Sequence, residues 1–289
     1  MMSSNPHRPR GAAAGALALA AALGLLTIAG GCARPNANQE NAHMTSFRDV
    51  PDSAWAELRT RRIWFGHQSV GGNIMQGVAE LAAADARLGL TIVEGAPPES
   101  GAAFAHAAIG RNGDPGLKTD EFARVLEGGA AGRLDIAFHK YCYADIVDTT
   151  DVERVFAHYR ETMARLQAEY PAVVFLHVTS PLTMVQAGPR ASLKKLLGQA
   201  PGRYVSNFKR ERFNQMMRAE YGAGGRLFDL AAVESTRPDG ARETIALSGK
   251  TAFALYPGYS SDGSHLNEAG RRRAAESLLA LLAGLAPGR

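Results

Sequence analysis

Two short stretches hold residues whose types and spacing suit nucleophilic chemistry. Ser69 follows Gly66-His67-Gln68, directly after the apolar run Ile63-Trp64-Phe65, and precedes Val70-Gly71-Gly72-Asn73, where a helical pattern begins. A serine at such a junction stands beside a helix N-terminus. Free backbone N–H groups and the helix dipole stabilise developing negative charge there. Gly71 and Gly72 let a substrate approach the backbone closely. The position suits a plain N-cap equally well, a role serine favours. The second stretch is Asp262-Gly263-Ser264-His265-Leu266-Asn267, just before the last helical pattern. An Asp and a His three residues apart on a turn can face one pocket. The carboxylate then holds one imidazole nitrogen while the other takes a proton from a serine hydroxyl. Taken alone, the plainer reading is stronger: a turn Asp, an exposed His265 and Asn267 as helix N-cap.

Other polar residues carry weaker signals. His139 and His177 fall in or at the end of expected strands, and with Asp145 or His265 they would offer zinc ligands. Their spacing matches no metal motif, and interior imidazoles are the favoured reading. His106 and His158 sit in polar surroundings and read as surface residues. Asp145, Asp148 and Asp151 recur every third position. Paired carboxylates suit a glycosidase or calcium, but no glycine-bearing calcium loop surrounds these, and Asp151 reads as an N-cap. The glycine-rich pieces lack the Lys-Ser/Thr or second glycine that a phosphate cradle needs. Phe253, Tyr256 and Tyr259 either line a cleft, where they would stack on sugar rings, or pack their loop onto the core.

The elements that must position these residues alternate. Apolar strands are expected at 63–65, 90–93, 134–138, 173–178 and 226–230. Helical patterns run over 73–88, 119–126, 151–170, 208–221 and 268–285. Strands separated by helix-length segments pair in parallel through right-handed crossovers. Runs as apolar as 173–178 suit strands covered on both faces. The expectation is a three-layer α/β/α sandwich of flavodoxin-like kind, with a central parallel sheet of about five strands. In such sheets the active site lies beyond the carboxyl ends of the strands, which is where Ser69 falls.

The two motifs together, a serine after the first strand and DxxH before the terminal helix, resemble the SGNH or GDSL-like hydrolases. The resemblance runs from about Ile63 to the end, in the family's order, and includes the helix leading into Phe228-Asp229-Leu230-Ala231. It implies Ser69 as nucleophile, His265 as general base and Asp262 as its orienting acid. The family's Gly-Asp-Ser reads His67-Gln68-Ser69 here. Its glycine block, which lends an oxyanion N–H, is best matched by Gly110-Arg111-Asn112-Gly113; the match leaves open which glycine is meant, with Gly113 and Asn112 as oxyanion candidates. Its Gly-x-Asn-Asp falls on Cys142-Tyr143-Ala144-Asp145, so Ala144 replaces the oxyanion asparagine. A donor of that kind is typically worth about 2.7–4 kcal/mol of barrier. Asn73, Asn112, Lys140, Tyr141 and Tyr143 are the candidates to replace it. The likeness implies hydrolysis of an O-acyl ester, acetyl above all, on a glycan, or a related acyl transfer, with no metal and no cofactor. Two rival readings stand beside it: an inactive protein that uses the fold to bind glycan, and a metal hydrolase built on His139 and His177.

The chain has 289 residues, 46% hydrophobic and 21% charged, ordinary globular composition for one α/β domain. Its N-terminus reads as an export signal. His7, Arg8 and Arg10 precede an Ala/Leu-rich stretch, 12–28, which ends in Ala29-Gly30-Gly31-Cys32. That ending resembles a bacterial lipobox, with Ala29 in place of the usual leucine. The resemblance implies a signal peptide over 1–31 and a diacylated Cys32 that anchors the protein in the cell envelope, facing the periplasm, with the outer membrane favoured. More than one acyl chain is what stable anchoring needs. Residues 32–51 read as a flexible tether and 52–289 as the hydrolase domain. With Cys32 lipidated, Cys142 has no partner for a disulfide. The formal charge of +4 drops to about +2 once Arg8 and Arg10 are cleaved away, too little to argue for nucleic acid.

Overall fold

The computed structural model describes residues 46–185 and 202–285. Cys32 and the leader lie outside them. Strand β1 (Arg62–His67) is flanked by β3 (Ala103–Ala108) and β4 (Ile136–His139), parallel to both. With β2 (Ile92–Glu94) beyond β3, and β5 (Val174–Phe175) beyond β4, this makes a five-stranded parallel sheet in the order β2-β3-β1-β4-β5. After Leu176 the chain forms β6 (His177–Val178), which pairs in parallel with β7 (Leu227–Phe228).

Two expectations are corrected here. The segment 173–178 is two short strands rather than one, and 226–230 pairs with the second of them instead of joining the five-stranded sheet. In its place stands β3, which the sequence conceals. Its residues read Ala-Phe-Ala-His-Ala-Ala, with none of the β-branched side chains that mark strands. It forms because neighbours on both sides supply ladder partners.

Helices cover both faces. On one, α2 (Val70–Ala84) packs against the terminal helix (Glu268–Gly284), with α1 (Asp52–Leu58) alongside. On the other lie α3 (Pro115–Val125), α4 (Val152–Glu169) and α5 (Gly202–Tyr221). A short α6 (Leu230–Ser235) follows β7, and the terminal helix is therefore α7. Strand alternation sorts the two cores. Ile63 and Phe65 face the α2–α7 side with Phe104 and Phe138. Trp64 faces the α3–α5 side with Phe122 and Phe175. Each such fully buried apolar side chain contributes about 1.5–3 kcal/mol. Truncating a central one such as Phe65 to alanine would cost about 3–5 kcal/mol.

Three local features bear on the site. Gly77 lets α2 and α7 meet closely, since a Cβ there would fall 2.5 Å from the Arg271 carbonyl oxygen. An antiparallel hairpin, β8 (Thr244–Leu247) and β9 (Lys250–Phe253), turns through Ser248 and Gly249, both at positive φ, a two-residue turn that suits strand twist. The expected tether also ends sooner than 51. Phe47 packs on Trp55 with ring centroids 5.2 Å apart, and Val50 is buried. Both are apolar, and the core offers them a surface. Among the described residues no helix is long and apolar enough to cross a membrane.

Candidate active site

Ser69 sits between β1 and α2 with φ 52° and ψ −112°, in the left-handed half of backbone space that a non-glycine residue rarely adopts. Such a conformation costs on the order of 1–3 kcal/mol and persists only where the surroundings over-determine it. They do so here. The Gln68 side-chain amide donates to the carbonyls of Ile109 and Gly110 (3.2 and 3.0 Å), and the Cys142 thiol donates to the Gln68 carbonyl (3.3 Å). Gly71 and Gly72 N–H close the first turn of α2 onto the Gln68 and Ser69 carbonyls (3.0 and 2.7 Å). A Cβ at Gly71 would fall 2.4 Å from that of His67, so only glycine fits this turn. The hydroxyl of Ser69 makes no capping bond. Instead Oγ lies 2.7 Å from His265 Nε2. The Ser69 and Val70 N–H groups have no acceptor among the described residues.

His265 is held from behind. Its Nδ1 lies 2.6 Å from Asp262 Oδ2, while Asp262 Oδ1 accepts the N–H groups of Ser264 and His265, both at 2.8 Å. These bonds, the one from the His265 ring foremost, hold the Asp262 carboxyl well below the usual range. An ionised carboxylate only accepts, so Nδ1 carries the ring proton and Nε2 presents its lone pair to the Ser69 hydroxyl. The turn is tied at three points. Gly263, at φ 87°, donates to Ser260 Oγ (2.9 Å) and accepts from Met184 N–H (2.9 Å), and Leu266 N–H donates to Asn73 Oδ1 (3.2 Å). Asn267 caps α7 through Gly270 N–H (3.0 Å), as the plainer reading of this motif has it. The structure thus brings together Ser69, Asp262 and His265, separated by 196 positions at the extremes of one hydrogen bond.

The oxyanion candidates separate by the bonds each already makes. Gly113 N–H already donates to Asp145 Oδ1 (2.8 Å), which removes it as a donor in this conformation and corrects that expectation. Asp145 is a buried hub: its Oδ2 also accepts from Lys118 Nζ (2.5 Å) and Cys142 N–H (2.6 Å). Unpaired, either buried charge would be costly. Asn73 serves as the clamp on Leu266 just described. Asn112 accepts from Lys118 Nζ at Oδ1 (2.9 Å), which fixes its amide orientation on an exposed loop. Lys140 and Tyr141 are buried, with Lys140 Nζ on the Tyr141 carbonyl (3.0 Å) and the Tyr141 hydroxyl against Thr119 Oγ1 (2.5 Å). Tyr143 alone touches the catalytic candidates: its ring meets that of His265 edge-on, centroids 5.7 Å apart.

The remaining histidines are placed as follows. His139 and His177 are interior; His177 Nδ1 meets the Tyr159 hydroxyl at 2.9 Å and its ring stacks on Tyr221. Among the described residues no three His, Cys, Asp or Glu side chains gather as a metal site. His158 is a surface residue beside Asp120 (2.8 Å). His106 is not simply superficial. It is half-buried, its Nδ1 3.0 Å from His67 Nε2 on the neighbouring strand. Asp151 caps α4 through Arg154 N–H (3.0 Å). Of the aromatic loop, Tyr259 is buried, and Phe253 lies under the Arg242 guanidinium at 3.9 Å, which favours packing over an open cleft.

Sequence reasoning missed the buried polar supports. Asn207 and Asn214 on α5 each pair with a backbone N–H and carbonyl, those of Thr183 (3.1 and 2.7 Å) and Ser180 (2.7 and 3.0 Å). Their spacing of seven, with Arg210 between them, puts three polar residues on one helix face. That stripe was the available signal.

No family model matches the chain, and no curated protein matches it. Solved structures do. A candidate platelet activating factor from Streptococcus pneumonia shares 16% identity over 80% of this chain and 92% of its own, with a TM-score of 0.44. A candidate lipolytic protein of the G-D-S-L family from Desulfitobacterium hafniense shares 7% over 76% and 99%, with 0.42. The acetyl xylan esterase AlAXEase shares 16% over 75% and 96%, also with 0.42.

Proposed function

We propose that the protein is an ester hydrolase of the SGNH kind, working through Ser69, His265 and Asp262. The observation that carries this is the continuous chain from Ser69 Oγ through the His265 ring to Asp262, at 2.7 and 2.6 Å. His265 Nε2 takes the Ser69 proton as Oγ attacks the ester carbonyl. The Ser69 and Val70 N–H groups, at the positive end of α2, stabilise the oxyanion. The alcohol leaves with the proton from His265. Water, deprotonated by the same imidazole, then releases the acid. Acceptance of a second alcohol instead of water would make the protein an acyltransferase with the same residues.

The substrate proposed is an O-acyl group, acetyl foremost, on an envelope glycan. Its support is the export signal read in the sequence, with lipid on Cys32, and the Tyr143 ring beside His265, an aromatic face suited to a sugar. A second reading, an inactive glycan-binding protein, is favoured by Ala144 and by the commitment of Gly113 N–H to Asp145. The two readings part on one experiment. The first expects fluorophosphonate labelling of the purified protein at Ser69 and hydrolysis of short-chain p-nitrophenyl esters or acetylated sugars. Ser69→Ala and His265→Ala should each lower kcat by about 10⁴-fold or more, and Asp262→Asn by the same or less, because such residues act as a unit. A Ser69→Ala variant with full activity defeats the triad. For the envelope location, mass spectrometry of the mature protein should find a diacylated Cys32 at its N-terminus; an unmodified Cys32 peptide joined to upstream residues refutes it.

A further inference from the structure

The guanidinium of Arg210, on α5, is buried between two loops that flank His265. Its Nε and one terminal nitrogen donate to the Tyr143 carbonyl (3.1 and 2.7 Å). The other terminal nitrogen donates to Thr183 Oγ1 (3.0 Å) and Asn207 Oδ1 (2.6 Å). Tyr143 is the residue whose ring meets His265. Thr183 precedes Met184, whose N–H holds the Gly263 carbonyl inside the Asp262–His265 turn. One rigid fork of donors therefore spans both supports of the imidazole, a geometry that lysine cannot reproduce. A buried cation is a costly way to fill space where methionine would pack.

We propose that Arg210 is a positioning residue for the general base, setting the His265 ring against Ser69 through Tyr143 on one side and the Thr183–Met184 segment on the other. The proposal rests on the hydrolase reading. Displacements of about 1 Å in such a site cost roughly a hundredfold in rate.

The test compares the full mature chain with Arg210→Met, Arg210→Lys, Tyr143→Leu and the double variant Arg210→Lys/Tyr143→Leu. Fluorophosphonate labelling and p-nitrophenyl acetate hydrolysis are read together with thermal unfolding. Arg210→Met should fold, lower kcat and labelling rate together by about ten- to a hundredfold, and move KM by less than about threefold. Arg210→Lys should fall between it and the wild type. The double variant should lose clearly less than the product of its two single losses, since both act on one ring. A folded Arg210→Met that labels at the wild-type rate overturns the proposal. If that variant does not fold, Arg210→Lys and Tyr143→Leu decide, and additive losses overturn it. A wild-type protein that neither labels nor cleaves any ester removes the hydrolase reading itself. A wild type that labels, with Arg210 variants that label as fast, removes only this inference.

Discussion

At the scale of single residues, Ser69 concentrates the conflict between stability and chemistry. Its side chain is aimed at His265 by a backbone conformation that glycine adopts freely and serine does not. Ser69→Gly should therefore be inactive yet more stable than Ser69→Ala, by about 1 kcal/mol, because alanine keeps the strain and loses the hydroxyl all the same. Urea denaturation of the two variants reads this directly. Equal midpoints, or a less stable glycine variant, would show that the φ of Ser69 costs nothing. Asp262 is different in kind. Its carboxylate is more than half exposed, so its short bond to His265 orients the imidazole without adding much to stability.

At the scale of elements, the site depends on how closely α2 and α7 approach, because α2 starts right after Ser69 and carries Asn73, while α7 starts three residues after His265. At Gly77 the helices lie so near that a Cβ would fall 2.5 Å from the Arg271 carbonyl oxygen. Gly77→Ala gains helix propensity, about 1 kcal/mol for an exposed position. Here the methyl group meets the Arg271 backbone oxygen, and overpacking of this sort costs about 1–3 kcal/mol. The expected outcome is a lower melting temperature despite the better helix former, together with a fall in kcat as α7 is pushed from α2. A Gly77→Ala protein that melts at or above the wild-type temperature would contradict the tight approach. The supports on α5 act at the same scale, since Asn207 and Asn214 secure a segment after β6 that forms no strand among the described residues.

Across the whole molecule, buried titratable groups set a narrow window of stability. Burial, foremost, lowers the imidazoles of His67, His139 and His177 from 6.5 to about 3, so each stays neutral in the fold while the unfolded chain binds a proton. That stability is complete above pH 6.5 and is lost as pH falls below it. Glu234 runs the other way. Burial raises its carboxyl from 4.5 to about 8, so the fold holds a proton that the unfolded chain has released, and stability falls as pH rises towards 8. Glu211, raised by burial as well, acts in the same direction; the histidines outnumber these two carboxyls below pH 6.5, and above it the carboxyls act. Unfolding free energy should therefore peak near pH 6.5, with each net proton worth about 1.4 kcal/mol per pH unit. Glu234→Gln should flatten the alkaline limb and leave the acid limb in place. Denaturant titrations between pH 4.5 and 9 check both; an unchanged alkaline limb in that variant would remove Glu234 as its source.

What the sequence determined by itself was local. Apolar runs with helical stretches between them dictate a parallel α/β sheet, because their periods decide which residues must be buried. The pair of motifs, a serine after the first strand and Asp-x-x-His before the last helix, singles out Ser69, Asp262 and His265 only through the family resemblance it carries, because each motif alone suits a plain turn or helix cap as well. The alanine-rich β3 was hidden, since its pairing comes from β1 and β2 and not from its own side chains. The oxyanion candidates were illegible for a related reason. Whether Gly113 N–H is free depends on Asp145, 32 positions away, and the role of Arg210 depends on carbonyl and hydroxyl groups 67 and 27 positions distant. A backbone donor looks the same in every sequence. Only tertiary contact decides which acceptor it meets, and so whether it remains for chemistry.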